Sequence, residues 1–230
     1  MSIKLGVPSK GRLMEKTFDW FSTYGIGLTR TGSEREYSGQ VDGVDDVELV
    51  LLSAGEIPRE LAAGHIHLGV TGTDLIQEKL VQWDQKVAPL AELGFGHADL
   101  IVAVPACWVD VDTLDDLDAA AAAFRARHGF RMRIATKYHR LVRAYLHDGG
   151  VADYQLVDSQ GATEGTVKNL TAEAVADITS TGETLRANHL KVLAEEPVLR
   201  SQATLFRSRV AAQSEAERAT LRAVEDRLGL

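Results

Sequence analysis

The sequence predicts an α/β protein with mostly parallel sheets, and three observations carry that prediction. Short branched apolar runs alternate with stretches of helical periodicity along the 230 residues. Runs such as "LIVAVP" (100–105) are apolar on both faces, as strands between two helix layers must be. The composition, 45% hydrophobic and 25% charged, is that of a chain able to bury its own core.

The strand candidates are "IKLGV", "VELVLL", "HLGVTG", "ADLIVAVP", "RMRIAT", "YQLVDS", "AVADI", "LKVLA" and "ATLFRS", each short, branched and bounded by turn residues. Helices fall between them. "GRLMEKTFDWFSTYG" sets Leu13, Phe18 and Phe21 on one side and stops at Gly25. "IPRELAAG" opens on Ile-Pro and stops at Gly64. "TLDDLDAAAAAFRARHG" spaces Leu114, Leu117, Ala121 and Phe124 helically before Gly129, and "KYHRLVRAYLHDGG" ends in a glycine pair. "SGQVDGVDD" reads as a hairpin or loop. In the last segment Ser214 and Glu217 form a capping-box pattern, followed by Leu221, Val224 and Leu228 on one face. That helix either packs on its own domain or docks on a partner chain.

Several classes are excluded. The net charge of −8 argues against general nucleic-acid binding. A single cysteine, Cys107, rules out an internal disulfide, and its apolar flank predicts a buried, inert thiol. No apolar run approaches the ~18 residues of a membrane span. The first residues lack the apolar core of a signal peptide, so a cytoplasmic location is expected. "HIH" (65–67) alternates at a strand start and sets two rings on one face, but two ligands without a third make a poor zinc site. No metal site on the protein is expected.

The chemistry concentrates where "AVADI" runs into Thr179-Ser180-Thr181-Gly182-Glu183-Thr184. In a parallel α/β sheet, ligands sit beyond the carboxyl ends of strands, where a loop entering a helix presents unpaired amides. Ser180, Thr181, Gly182, Glu183 and Thr184 would cradle a phosphate monoester, small residues letting the backbone come close. Asp177 suits a neighbouring pair of sugar hydroxyls, and a phosphate plus a ribose diol is ribose 5-phosphate. The alternative is that these residues only make a turn and an N-cap. An acid a few residues before Thr-Gly-x-Thr resembles the phosphoribosyl pyrophosphate loop of phosphoribosyltransferases.

Five ordered blocks raise the specificity: "LGVPSKGRLMEKT" (5–17), "EIPRELAAGHIHLGVTGTDLIQE" (56–78), "ELGFGHADLIVAVP" (92–105), "RIATKYHRLVRAYL" (133–146) and "VADITSTGETLRANHLKVL" (175–193). Together they resemble the ATP phosphoribosyltransferase family, in its short form. The resemblance implies a two-domain fold like that of type II periplasmic binding proteins, with the active site in the interdomain cleft. The expected division is 1–91 with 188–230 as one domain and 92–187, carrying the phosphate loop, as the other. It implies transfer of the 5-phosphoribosyl group from phosphoribosyl pyrophosphate to N1 of ATP, with Mg²⁺, and a dimer assembling with a regulatory subunit similar to histidyl-tRNA synthetase. The chain departs from the family pattern at "LLSAGE", at "GATEGTV", which keeps Glu164, at "LTAE", which carries Glu173, and at "FGHA".

The remaining candidates follow from charge and position. Lys10, Gly11 and Arg12 turn out of the first strand and are assigned, with Thr71, Gly72 and Lys137, to ATP or pyrophosphate. Glu164 and Glu173 are candidates for ribose or metal-water contacts. Each of these has a plainer reading: solvated charge, turn, or, for Asp74 beside Thr73, a helix cap. No general base is nominated, because N1 of adenine already carries its lone pair. Two rival functions remain at this stage: a small-molecule binding module of the same two-lobed fold, and a phosphoribosyltransferase for another base.

Overall fold

The computed structural model describes residues 2–31, 38–159 and 161–230. The chain divides into two compact units, residues 1–97 with 202–230 and residues 98–201. The first unit begins β1 (Ile3–Pro8), α1 (Gly11–Thr23), β2 (Gly27–Arg30), β3 (Ser38–Asp42), β4 (Val47–Leu52), α2 (Ile57–Ala63), β5 (Leu68–Gly72), α3 (Thr73–Lys79), α4 (Trp83–Lys86) and β6 (Val87–Glu92). The second unit holds β7 (Ala98–Pro105), α5 (Leu114–His128), β8 (Met132–Thr136), α6 (His139–Asp148), β9 (Tyr154–Asp158), α7 (Gly165–Lys168), β10 (Ala174–Thr179), α8 (Glu183–Ala187), β11 (Leu190–Val192) and β12 (Leu199–Ser201). The chain then returns to the first unit as β13 (Ala203–Ser208) and α9 (Glu215–Leu228).

Both sheets are mixed, which corrects the expectation of mostly parallel pairing. In the order β2-β3-β4-β1-β5-β13-β6, only β1 with β4 and β1 with β5 are parallel. In β11-β7-β10-β8-β9, with β12 also on β7, only β10 with β8 and β8 with β9 are parallel. The antiparallel members are the β2-β3-β4 hairpins and the strands next to the points where the chain changes unit. Strand β7 pairs antiparallel with β10, β11 and β12, and β13 runs antiparallel to β5 and β6. Alternation of strand and helix reports the crossovers but not the direction of strands that change unit. The "SGQVDGVDD" segment is a hairpin, β3 leading antiparallel into β4.

The predicted helix faces pack as their spacing requires. Phe21 is buried, and Leu13 and Phe18 lie against the same core of Leu5, Val7, Leu49 and Val70. In α5 only Leu117 and Ala121 are buried. Phe124 instead lies tilted against His128 and edge-on to Phe130. Helix α9 packs on its own unit: Leu221, Val224 and Leu228 join the core beneath β1, worth about 2 kcal/mol each in removed apolar surface. Its Arg227 donates from Nε to the Tyr24 carbonyl (3.2 Å) and from Nη2 to the Gly25 carbonyl (3.1 Å), satisfying the end of α1. Cys107 is exposed, not buried. Strand β7 ends at Pro105, and the cysteine lies in the turn beyond it.

Helices α5 and α9 are both opened by capping boxes. Thr113 Oγ1 accepts the Asp116 amide, and Asp116 in turn accepts the Thr113 amide (2.9 Å) and hydroxyl (2.7 Å). Glu217 accepts the Ser214 amide and hydroxyl, both at 2.8 Å. The Thr113 hydroxyl foremost holds the Asp116 carboxyl below its ordinary 3.8, and the Ser214 amide foremost holds Glu217 below 4.5. Folded values below the unfolded ones mean that these contributions are complete above about pH 4.5 and vanish as acid carries the pH down through the lowered values. Glu217→Gln is therefore expected to lose less helical signal than the parent chain over that acid window, measured by circular dichroism during acid titration.

Candidate active site

The second unit builds its site at the carboxyl end of β10. That strand lies between antiparallel β7 and parallel β8, with Asp177 opposite Ile101. The parallel register, Ile134 beside Ala174 and Ala135 beside Val175, carries Lys137 to the level of Asp177. Lys137 Nζ stands 3.3 Å from Asp177 Oδ1 and 5.3 Å from the centroid of the Tyr138 ring. Asp177 Oδ1 also accepts the Ile178 amide (2.8 Å), so the carboxylate is oriented from two sides.

Beyond Thr179 the chain folds into a tight, internally bonded turn. Thr179 Oγ1 accepts the Gly182 amide (3.0 Å), and Arg186 Nη2 donates to the Thr181 carbonyl (3.0 Å). Gly182 has φ +69°, a left-handed conformation that a side chain there would strain. Helix α8 starts at the next residue, and its first intrahelical bond runs from the Arg186 amide to the Gly182 carbonyl (3.0 Å). The amides of Glu183, Thr184 and Leu185 precede that bond. A concavity of about 250 Å³ is bounded by Glu164, Asp177, Ser180, Thr181, Glu183 and Thr184. Glu164 arrives there from the start of α7.

Glu173 lies elsewhere, before the opposite end of β10. Its carboxylate takes the Arg133 amide (2.7 Å), Nε (3.1 Å) and Nη2 (2.5 Å). Lone pairs committed to a half-buried guanidinium tie β8 to β10 and leave little for a sugar. The guanidinium is held more strongly protonated by the same carboxylate.

The first unit gathers a second set. Lys10, in extended conformation, caps α1, and Gly11 follows at φ +73°. Lys10 shares a concavity of about 680 Å³ with Ser9, Arg30, Ser53 and Glu56. Glu56 accepts the Ser53 amide (3.0 Å) and hydroxyl (2.7 Å), and the hydroxyl foremost draws its carboxyl below the ordinary value. Arg12 is exposed in the first turn of α1, outside that lining. Thr71 is buried and gives its hydroxyl to the Ala54 carbonyl (2.8 Å), which shapes the 53–56 turn. Gly72 caps α3, Thr73 Oγ1 lies 3.3 Å from Thr204 Oγ1, and Asp74 is buried in the first turn, where the helix dipole favours a negative charge. The two histidines of "HIH" part company, because β5 starts only at Leu68. His65 bonds Glu60 (2.8 Å), and His67, buried, accepts the Lys4 amide at Nδ1 (3.0 Å).

Sequence reasoning does not single out Ser9, Arg30, Ser53 and Glu56, which line the concavity beside Lys10. Arg30 ends a four-residue strand too short to stand out as a period-two run. Ser53 and Glu56 differ from the family pattern, but their spacing, Ser-x-x-Glu before an Ile-Pro helix start, is a legible turn signal.

The family profile described as "HisG: ATP phosphoribosyltransferase" matches residues 53–229. An ATP phosphoribosyltransferase of Cereibacter sphaeroides is 74% identical over 230 residues, covering 100% of this chain and 97% of the relative. The chain belongs to the ATP phosphoribosyltransferase family. A relative of that name from Mesorhizobium japonicum is 49% identical over 221 residues, 96% of this chain and 95% of its own. Among solved structures, "ATP phosphoribosyl transferase (HisG:HisZ) complex from Thermotoga maritima" aligns with a TM-score of 0.70 at 20% identity, over 99% of this chain and 98% of that one. An extracellular binding protein of an amino-acid transporter, ytmK of Bacillus subtilis, aligns at 0.51 with 10% identity, over 99% and 90% of the two chains. These two likenesses concern fold alone: a two-domain architecture of the type II periplasmic binding-protein kind.

The part of this family member matched by the profile opens at Ser53, in the turn that closes the Lys10 concavity, and runs through the β10 loop. Thr71 holds that turn from below. Thr71→Val is expected to cost about 1–3 kcal/mol, the penalty of a buried carbonyl left without its donor, read as a lower urea midpoint at unchanged slope.

Proposed function

We propose that this protein transfers the 5-phosphoribosyl group of phosphoribosyl pyrophosphate to N1 of ATP, releasing pyrophosphate, the first step of histidine biosynthesis. The observation that carries the reading is a whole-length relative of that enzymatic name at 74% identity, joined to a turn in which Asp177, Ser180, Thr181, Glu183 and Thr184 line one concavity. The binding-module alternative rests on likenesses of fold at 10% identity, and fold does not decide function.

In this reading the Thr184 and Leu185 amides at the start of α8 and the Ser180, Thr181 and Thr184 hydroxyls receive the 5-phosphate. Gly182 supplies the left-handed turn that aims those amides. Asp177, held by Lys137, accepts the ribose hydroxyls, and Glu164 stands beside it. Three carboxylates, Asp177, Glu164 and Glu183, line the same concavity, so the phosphate is held by the hydroxyls and amides rather than by the acidic side chains. Lys137 thus belongs to the sugar end rather than to ATP. Glu173 belongs to the scaffold. Lys10 and Arg30 receive triphosphate or pyrophosphate oxygens, with Arg12 at the rim; Thr71 and Gly72 support that site from behind.

The adenine N1 lone pair forms the bond to ribose C1 while the bond from C1 to the pyrophosphate oxygen breaks, and the electron pair leaves with pyrophosphate. The exocyclic amino group later gives up a proton to water, so no side chain serves as base. Positive charge grows on the ribose ring, and positioning and leaving-group stabilisation dominate. Among the described residues, no group of three or more His, Cys, Asp or Glu side chains is arranged to hold a metal ion. The donors beside the turn, Asp177 and Glu164, are all oxygen and fit a hard, hydrated cation such as Mg²⁺. When bound, Mg²⁺ supplies charge neutralisation on the pyrophosphate oxygens.

We further propose a short-form catalytic subunit that forms homodimers and joins a regulatory subunit similar to histidyl-tRNA synthetase in the cytoplasm; the reading of a regulatory partner is supported by the Thermotoga maritima structure, which is a HisG:HisZ complex. No helix among the described residues is long and apolar enough to cross a membrane.

Incubation with ATP and phosphoribosyl pyrophosphate is expected to yield phosphoribosyl-ATP, followed by its absorbance; preference for orotate or a free purine base would refute the acceptor. Gly182→Val and Asp177→Asn are each expected to raise the KM for phosphoribosyl pyrophosphate about tenfold or more, since each removes charge-assisted bonds worth about 1.5–3 kcal/mol. Near-normal kinetics in both would show that the turn does not hold the sugar phosphate.

A further inference from the structure

Strand β9 closes one side of the second unit's sheet: it pairs with β8 and, among the described residues, with no other strand. A row of backbone donors and acceptors is therefore offered along its outer edge. Beside that edge, helix α6 and the turn after it form one wall of a groove of about 580 Å³. Arg131, Arg143 and His147 line the groove together with Tyr154 and Gln155, and no carboxylate is in its lining. This concentration of positive charge is local, in a chain whose net charge is −8.

The neighbouring cations are already used. Arg125 pairs with Asp153, and Arg133 with Glu173. His147 Nδ1 lies 3.3 Å from Asp148, both largely exposed. No ion pair involves Arg131 or Arg143 among the described residues. The Tyr154 phenol is pushed up by burial, with the Arg143 charge working against that shift. It lines the groove as a neutral donor.

A groove bounded by a helix and an open strand edge has the geometry in which an extended polypeptide adds a strand. A small anion uses donors only; a strand uses the donors and acceptors of β9 alike. Cations flanking the edge disfavour a basic or purely apolar strand and favour one with carboxylates. From this we infer that the groove between α6 and the outer edge of β9 docks an extended acidic segment of a partner chain, which pairs with β9 while its carboxylates meet Arg131 and Arg143.

The probe is a short peptide, capped at both ends, that alternates glutamate and valine, titrated into the full chain by fluorescence anisotropy. Hydrogen exchange of the β9 amides is followed in parallel. Binding with new protection confined to β9 is expected. The double variant Arg131→Gln, Arg143→Gln is expected to weaken it about tenfold or more, with turnover unchanged. A proline at the peptide's centre is expected to weaken it similarly. Equal binding of the proline peptide, competition by inorganic tripolyphosphate alone with no protection of β9, or no peptide binding at all would each overturn the proposal. The first two would assign the groove to non-strand or small-anion recognition, and the last would leave the arginines as guards of an exposed edge. None of these outcomes touches the transferase reading, which stands on turnover.

Discussion

The placement of β10 between β7 and β8 is the constraint on which the candidate chemistry depends. Pairing with β8 at Ala174 and Val175, and with β7 from Val175 through Thr179, anchors the strand to its last residue, so the turn beyond it starts from a fixed point. The parallel register with β8 then brings Lys137 beside Asp177 without either residue being near the other in sequence. A shift of one residue would turn Asp177 to the other face of the sheet and separate the pair. The Arg133–Glu173 pairing at the far end of the same two strands resists such a slip, because it joins β8 to the residue preceding β10 through backbone and side chain together.

The turn itself uses its hydroxyls in two ways. Thr179 is spent inward, on the Gly182 amide, and sets the bend. Ser180, Thr181 and Thr184 face the concavity. The run of small polar residues is therefore part scaffold and part lining of the concavity, and the left-handed glycine makes the bend between them possible. In the first unit the division is similar. Thr71, read from its position as a ligand contact, is a buried strut for the 53–56 turn, and the charges it arranges around are Lys10, Arg30 and Glu56.

Helix α9 shows how local and tertiary terms combine. Its capping box and apolar stripe are visible in the chain, but the stripe alone serves equally well against a partner or against its own unit. The core beneath β1 takes Leu221, Val224 and Leu228, and Arg227 closes the end of α1. That leaves the charged face outward and turns the final helix into a brace for the helix that opens with Lys10 and Gly11.

The sequence by itself determined the elements and their chemistry: the alternation that makes an α/β chain, the capping boxes at Thr113 and Ser214, the hydroxyl-rich turn after Asp177, and the family written in five ordered blocks. These are local properties, set by spacing and by side-chain type, and they survive without knowledge of what packs on what. Only the tertiary structure decided strand direction in the two mixed sheets, the exposure of Cys107, the commitment of Glu173 to Arg133, the separation of His65 from His67, and the gathering of Arg30 with Lys10. Each of these depends on residues far apart in the chain meeting across a sheet, and burial or an ion pair at such a meeting outweighs any preference a short segment carries alone.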